Sequence, residues 1–329
     1  MSDRIAVVGG GAWGTALANA AAAAGHPVTL WLRDGEAAQR LQDARENARY
    51  LPGVKLHDDI RATAEPGDLS GAGIVLLVTP AQTLRGVLGS LKSSIDREAA
   101  IVLCAKGIER GSDAFMSAVA AEAMPGAAVA VLSGPSFAAD VARNLPTAVT
   151  LAADDAELAG RLAAALSGPA LRVYHTDDVR GVEIGGAGKN VLAIASGIVA
   201  GRGLGESARA ALIARAFAEL MRFARAYGGR PETLMGLSGL GDLVLTASSP
   251  QSRNFAFGQR LGAGATPEEA SGGKLAEGAF TAAALIALAR RNAVEMPVAE
   301  AVAAIVSGEA SVDAVVAGLL ARPLKREAE

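Results

Sequence analysis

The sequence predicts an α/β protein, with a doubly wound sheet at the N-terminus and an all-α C-terminal domain. Three observations carry this. Short apolar runs alternate with helical patterns through the first half, as strands covered by helices on both faces require. Gly9, Gly11 and Gly14 form Gly-x-Gly-x-x-Gly directly after the first run and at the start of a helical stretch, which marks the sheet as Rossmann-like. After about Asp178 no convincing strand follows, and helical spacing takes over. This change of pattern places a Rossmann domain at 1–180 and an all-α domain at 181–329.

The apolar runs of the first half are residues 5–8, 28–32, 74–79, 100–105, 127–132, 148–151 and 171–174. Residues 83–91 and 155–166 have helical spacing between them. The Ala-rich run 16–24 reads as a helix buried on most sides, since it falls short of the roughly 20 apolar residues that span a bilayer. Short loops and right-handed crossovers join such units into a parallel sheet. In the second half, helices are expected over 182–199, 207–227, 231–235, 267–275, 280–291, 297–307 and 311–320. Pro231, Pro267 and Pro297 lie near helix starts, where a missing N–H is tolerated.

Composition narrows the function. At 51% hydrophobic and 20% charged, the 329-residue chain can bury two cores and is not disordered. A net charge of -3, no cluster of Lys and Arg, and only 4% aromatic residues argue against nucleic acid as the partner. The single cysteine, Cys104, forms no intrachain disulfide and lies in an apolar run, so it reads as a small core residue in a reducing compartment. No signal peptide or membrane-spanning segment is visible, and the expected location is the cytoplasm. His26, His57 and His175 are not in metal-ligand spacing, so no metal site is expected. Neither Gly-x-Ser-x-Gly nor a Cys/His pairing suggests a hydrolase.

The glycine fingerprint has a physical reading. Gly9 permits a tight turn, Gly11 lets the backbone approach a pyrophosphate, and Gly14 lets the helix pack close to the sheet. The second strand ends in Arg33-Asp34, about 20 residues past the fingerprint, where an acid holds a ribose hydroxyl and an arginine takes a 2′-phosphate. With both charges present, either NADP or NAD fits. Arg33 comes first and favours NADP, while the pair can also simply close an exposed loop.

Gly185-Gly186-Ala187-Gly188-Lys189-Asn190 resembles a phosphate loop but lacks its first glycine and its Ser/Thr. It reads instead as the start of a helix approached closely by a ligand or another backbone. Lys189 then projects from a largely apolar helix, where a lysine has a role or snorkels to the surface. Lys106 follows a strand, at the sheet end where ligands bind, or is an ordinary loop lysine. Residues 239–242 and 251–254 read as polar or glycine-rich links between helices. In the latter, Arg253 offers a planar fork for a phosphate and Asn254 a hydrogen bond.

Taken together, these residues resemble one family over nearly the whole chain, the bacterial NAD(P)-dependent sn-glycerol-3-phosphate dehydrogenases. The shared stretches include 9–18, Asn47-x-x-Tyr50-Leu51-Pro52-Gly53, Lys106-Gly107-Ile108-Glu109 and Ser133-Gly134-Pro135-Ser136-Phe137-Ala138. They continue through 145–148, 185–190, Gly239-Leu240-Gly241-Asp242-Leu243, Gln251-Ser252-Arg253-Asn254, Glu277-Gly278 and 294–297. The resemblance implies reduction of dihydroxyacetone phosphate to sn-glycerol 3-phosphate for phospholipid synthesis, with catalysis in a cleft between the two domains. It implies that Lys189 is the catalytic proton donor and acceptor. Lys106, Gly134, Ser136 and Asp242 would contact substrate, together with Lys189, Ser252, Arg253 and Asn254. Gly9, Gly11, Ala12, Trp13, Gly14 and Arg33 would bind the cofactor, together with Lys106, Ala138, Arg253, Leu275 and Glu277. It also implies a homodimer.

The chain departs from the family in places. Phe255-Ala256 replaces a basic or polar pair, Ala200 an Asp, Ser207 an Asn, and Ala81 the Ser of a Pro-Ser-Gln stretch. These bear on cofactor affinity and fine substrate contacts. Two other readings stay open: a 2-ketoacid or ketopantoate reductase of the same two-domain plan, and a non-catalytic NAD(P)H-sensing module. The second gives no reason for Lys189, Asp242 and Arg253 to occur together.

Overall fold

A computed structural model describes residues 2–273 and 276–323. In chain order the elements are β1 (Ile5–Val8), α1 (Ala12–Ala23), β2 (Val28–Trp31), α2 (Gly35–Ala44), β3 (Ile60–Thr63), β4 (Ile74–Leu77), α3 (Leu84–Leu91), β5 (Ala100–Leu103), α4 (Met116–Ala123), β6 (Ala128–Ser133), α5 (Ala138–Ala142), β7 (Thr147–Ala152), α6 (Ala156–Leu166) and β8 (Leu171–Thr176). There follow α7 (Val179–Gly201), α8 (Glu206–Ala226), α9 (Pro231–Met235), a π-helical turn (Leu237–Gly241), α10 (Asp242–Ala247), α11 (Arg253–Gly262), α12 (Pro267–Ser271), α13 (Glu277–Arg291), α14 (Pro297–Val306) and α15 (Val312–Leu320). The chain forms two compact units, Met1–Gly186 with Gly229–Asp242, and Ala187–Gly228 with Leu243–Glu329.

The first unit is built on an eight-stranded sheet of order β3-β2-β1-β4-β5-β6-β7-β8. Its first six positions are the dinucleotide-binding order, and the direction of winding reverses at β1 and β4. Side chains alternate across the sheet. Ile5 and Val7 pack with α1, α2, α5 and α6, while Ala6 and Val8 pack with α3 and α4. Both faces are thus buried, which is why the strands read as continuous apolar runs.

Two features differ from the expected parallel sheet. The run 60–63 is a strand, β3, although Arg61 interrupts it. As the edge strand it leaves Arg61 exposed, so it carries no continuous apolar signal. β7 runs antiparallel to β6. Only the short α5 separates them, and its Val141 and Ala142 stay in the core with α1, so the chain re-enters the sheet from the end it left. Burial on both faces is the same for either direction, and an apolar run does not encode which is taken.

The second unit is helical. α7 spans 23 residues, begins three residues before the expected start and places the glycine-rich stretch in mid-helix. By length and composition it is apolar enough to cross a membrane, but it is mostly buried within the protein, as a core helix is. It packs against α11 backbone to backbone. A Cβ on Gly197 would lie 2.1 Å from the Phe255 carbonyl oxygen, and one on Gly258 2.1 Å from the Ile194 carbonyl oxygen. Gly201 and Gly262 make equally close approaches to Gln259 and Ile198, so the helices run parallel in one register. A methyl group here would overpack the interface by about 1–3 kcal/mol or more. Residues 239–242 of the first unit and 253–254 of the second, expected as links, are helical. The backbone closes a π turn and starts α11 there. Glycine content and polarity alone signal loops.

Candidate active site

The first unit presents a glycine-rich turn at the end of β1. The chain leaves β1 at Gly9, whose φ of +121° is glycine territory. A Cβ on Gly14 would lie 1.8 Å from the Gly9 carbonyl oxygen, so α1 sits directly on the turn. A Cβ on Gly11 would meet nothing within 4 Å, so the backbone borders open space there. Gly11 is the N-cap of α1 and supplies no side-chain cap, which leaves the amides around Ala12 and Trp13 available to an anion. A pyrophosphate fits this helix end. Asn47 braces the turn. It donates to the Gly10 carbonyl at 2.9 Å and to the Thr15 hydroxyl at 2.7 Å. Its signal is weak in sequence because an Asn beyond a helix also reads as a local cap.

At the end of β2 the two charges differ in use. The Asp34 carboxylate caps α2, accepting from the Ala37 amide at 3.1 Å. Arg33 is exposed beside it. The acid is therefore already engaged by the protein, while the guanidinium faces solvent.

Lys106 lies three residues beyond β5 and is mostly buried. Its ammonium donates to Asp242 Oδ2 at 2.6 Å and to the Gly134 carbonyl at 3.2 Å. Asp242, fully buried, opens α10 directly after the π turn. The same Gly134 carbonyl accepts from the Ser136 hydroxyl at 3.0 Å. Ala138 opens α5 and packs towards the α1 face of the sheet.

Among the described residues, three buried hydroxyls, on Thr79, Ser133 and Ser238 of this unit, have no hydrogen-bond partner. Such groups are rare in a folded protein and call for an explanation. Ser133 ends β6 beside Lys106: a Cβ on Gly186 would lie 2.8 Å from Ser133 Oγ and 3.5 Å from Lys106 Cγ. In the sequence Ser133 stands out only within a shared stretch, Thr79 only ends an apolar run, and Ser238 lies in a glycine-rich segment.

In the second unit Lys189 is buried on α7, and its ammonium donates to the Thr246 hydroxyl at 2.8 Å. A cation in such surroundings needs polar partners. The parallel register of α7 and α11 brings Asn254 to Asn190, next to Lys189. The Asn254 amide donates to Asn190 Oδ1 at 2.9 Å and accepts from the Gly278 amide at 3.0 Å. Asn254 thereby ties α7, α11 and the start of α13 together. Ser252 is the N-cap of α11, its hydroxyl accepting from the Phe255 amide at 3.3 Å. Arg253 is the first residue of α11 and its side chain is exposed. Glu277 opens α13, where its charge suits the helix dipole. Leu275 lies outside the described residues. No cluster of metal-ligating side chains occurs among the described residues. Burial pushes the Cys104 thiol up to about 12, so it is a protonated core residue and not a nucleophile.

The comparisons with known proteins agree across the chain. The family model described as NAD-dependent glycerol-3-phosphate dehydrogenase N-terminus matches residues 4–159, and its C-terminus counterpart matches residues 178–317. A Methylobacterium radiotolerans protein named glycerol-3-phosphate dehydrogenase [NAD(P)+] is 77% identical over 99% of this chain and 98% of its own length. One of the same name from Azorhizobium caulinodans is 60% identical over 99% of both. The crystal structure of glycerol-3-phosphate dehydrogenase from Coxiella burnetii has a TM-score of 0.91 at 40% identity, covering 97% of this chain and 99% of that one. A ketopantoate reductase from Ralstonia eutropha shares the fold alone, at a TM-score of 0.59 and 18% identity over 92% of this chain and 97% of that one. With its fingerprint turn, its buried lysines and these relatives, the chain belongs to the NAD-dependent glycerol-3-phosphate dehydrogenase family.

Proposed function

We propose that this protein reversibly reduces dihydroxyacetone phosphate to sn-glycerol 3-phosphate with NAD(P)H, feeding phospholipid synthesis. The observation that carries the reading is the buried Lys189 ammonium held by Thr246. When bound, the nicotinamide supplies the hydride to the C2 carbonyl carbon. Lys189 stabilises the negative charge that grows on the carbonyl oxygen and delivers a proton to it. In the reverse direction it takes that proton back. Asp242 holds the Lys106 ammonium, and both contact substrate with Gly134 and Ser136. The Arg253 fork grips the phosphate, and that remote binding orients the carbonyl. Ser252 and Asn254 set the start of α11 on which Arg253 stands.

The test is oxidation of NADPH and NADH with dihydroxyacetone phosphate, run beside ketopantoate and 2-keto acids. Turnover with the phosphorylated ketone alone is expected. Turnover of the acids instead, or cofactor binding with no turnover, would overturn the reading. Exposed Arg33, with Asp34 engaged as a helix cap, favours NADPH. Arg33→Ala should weaken NADPH more than NADH. The protein acts in the cytoplasm as a homodimer, which sedimentation at micromolar concentration checks.

A further inference from the structure

The loop that carries Lys106 is held from outside by the segment following β4. After β5 the chain forms a tongue before α4. The Glu109 amide donates to the Ala114 carbonyl at 2.9 Å, and Ile108 bridges to Phe115. Ile108 and Phe115 are buried and anchor the base, whereas the tip at 110–112 is exposed. Apolar burial therefore holds the tongue at its root and leaves its register to polar contacts.

Two side chains supply those contacts. Gln82 Nε2 donates to the Ile108 carbonyl at 2.8 Å, and Gln82 Oε1 accepts from the Arg110 amide at 2.9 Å. One primary amide thus grips the backbone on both sides of Glu109. Arg85 meets the two Glu109 oxygens through Nε and Nη2 at 2.9 and 2.8 Å, and reaches Glu122 of α4 through Nη1 at 2.8 Å. Glu109 also accepts from the Ser112 hydroxyl at 2.6 Å. The Arg85 hydrogen bonds hold the Glu109 carboxyl below its ordinary range, so the clamp stays charged near neutral pH. Only Gly107, itself buried, separates Ile108 from Lys106, so the Ile108 carbonyl that Gln82 holds lies one residue from the Lys106 backbone.

We propose that Gln82 and Arg85 are positioning residues that set where the Lys106 ammonium meets substrate, acting through the backbone of the 106–115 loop. The inference rests on the reading that Lys106 contacts the phosphorylated ketone. Small misplacements of such a group are felt strongly in turnover. The proposed function places Lys106 on the phosphorylated ketone, so the expected signature falls first on the KM of that substrate.

The experiment uses the full chain carrying Gln82→Leu, Gln82→Glu, Arg85→Ala or Arg85→Lys. It compares KM and kcat for dihydroxyacetone phosphate, NADPH affinity by fluorescence, and Tm. Gln82→Leu should raise KM about tenfold, the scale of losing one or two hydrogen bonds, with a much smaller change in NADPH affinity. Gln82→Glu keeps the shape and the acceptor but loses the donor to Ile108. It should show a smaller rise, and it serves as the readout if the leucine variant folds poorly. Arg85→Ala should raise KM and Arg85→Lys should recover part of the loss. Adding Gln82→Leu to Lys106→Ala should do no further harm, because the path through Lys106 is already gone. Parent-like KM in both Gln82 variants, or fully additive losses in the Lys106→Ala background, would overturn the proposal. If the parent itself does not turn over dihydroxyacetone phosphate, the functional reading falls and this inference with it. An active parent with unaffected variants removes this inference alone.

Discussion

Lys106 Nζ donates to Asp242 Oδ2 at 2.6 Å, joining the loop after β5 to the first residue of α10 across 136 positions of sequence. Asp242 is fully buried, so its carboxylate has exchanged water for this contact and the start of its own helix. Removing one partner of such a pair is far more damaging than the pair is stabilising. Asp242→Ala should lower stability by roughly 3–5 kcal/mol in denaturant melts. Asp242→Asn keeps an acceptor and the shape, so it should fold better yet still lose kcat/KM. A parent-like melt for Asp242→Ala would show that the pair carries no such energy.

Lys189→Ala should leave NADPH binding intact and lower kcat by about 100-fold or more, the scale of losing a positioned proton donor. Single-turnover kinetics with saturating cofactor checks this. Near-normal turnover would remove Lys189 from the chemistry.

Arg253 stands exposed at the first position of α11, where a planar fork can meet two phosphate oxygens. Arg253→Ala should cut kcat/KM for dihydroxyacetone phosphate by roughly 100-fold, since charge-assisted hydrogen bonds contribute about 1.5–3 kcal/mol each. Arg253→Lys should recover part of it. The weak turnover of unphosphorylated dihydroxyacetone should barely change. Equal losses on both substrates would mean that the phosphate is held elsewhere.

Glu219 gives the protein a pH-dependent stability. Buried on α8, it accepts from the Val298 amide at 3.0 and 3.1 Å and caps α14. Burial raises its carboxyl to about 7 despite those amides. The folded state therefore holds a proton that the unfolded chain releases near its ordinary value of about 4.3. Stability from this group is fully present below that value and is lost as pH rises through about 7. The loss should total roughly 3–4 kcal/mol at most. Glu219→Gln keeps an acceptor and should flatten the slope. Melts of parent and variant at pH 5 and pH 8 measure the difference, and identical slopes would contradict it.

Much of the architecture was legible because it is local. Strands buried on both faces must be apolar throughout, so β1, β2, β4 and β5 announce themselves. Gly9 and Gly14 are fixed by sterics within a few residues of one another, and the prolines at the starts of α9, α12 and α14 by a missing donor. β3 escaped because an edge strand tolerates Arg61. The starts of α10 and α11 escaped because glycine and polar side chains signal loops until a packed neighbour outweighs them.

What sequence alone determined is chemical type and order: a glycine-rich turn after β1, a lysine after β5, another in an apolar helix, and an arginine late in the chain. Only the tertiary structure decided the partners. Nothing local links Lys106 to Asp242, Asn190 to Asn254, or Gln82 to the backbone around Glu109. Nor does periodicity reveal that α7 and α11 run parallel, or that β7 reverses. Local propensity acts over a few residues, whereas a buried charge finds its counter-charge through whichever chain packing brings near.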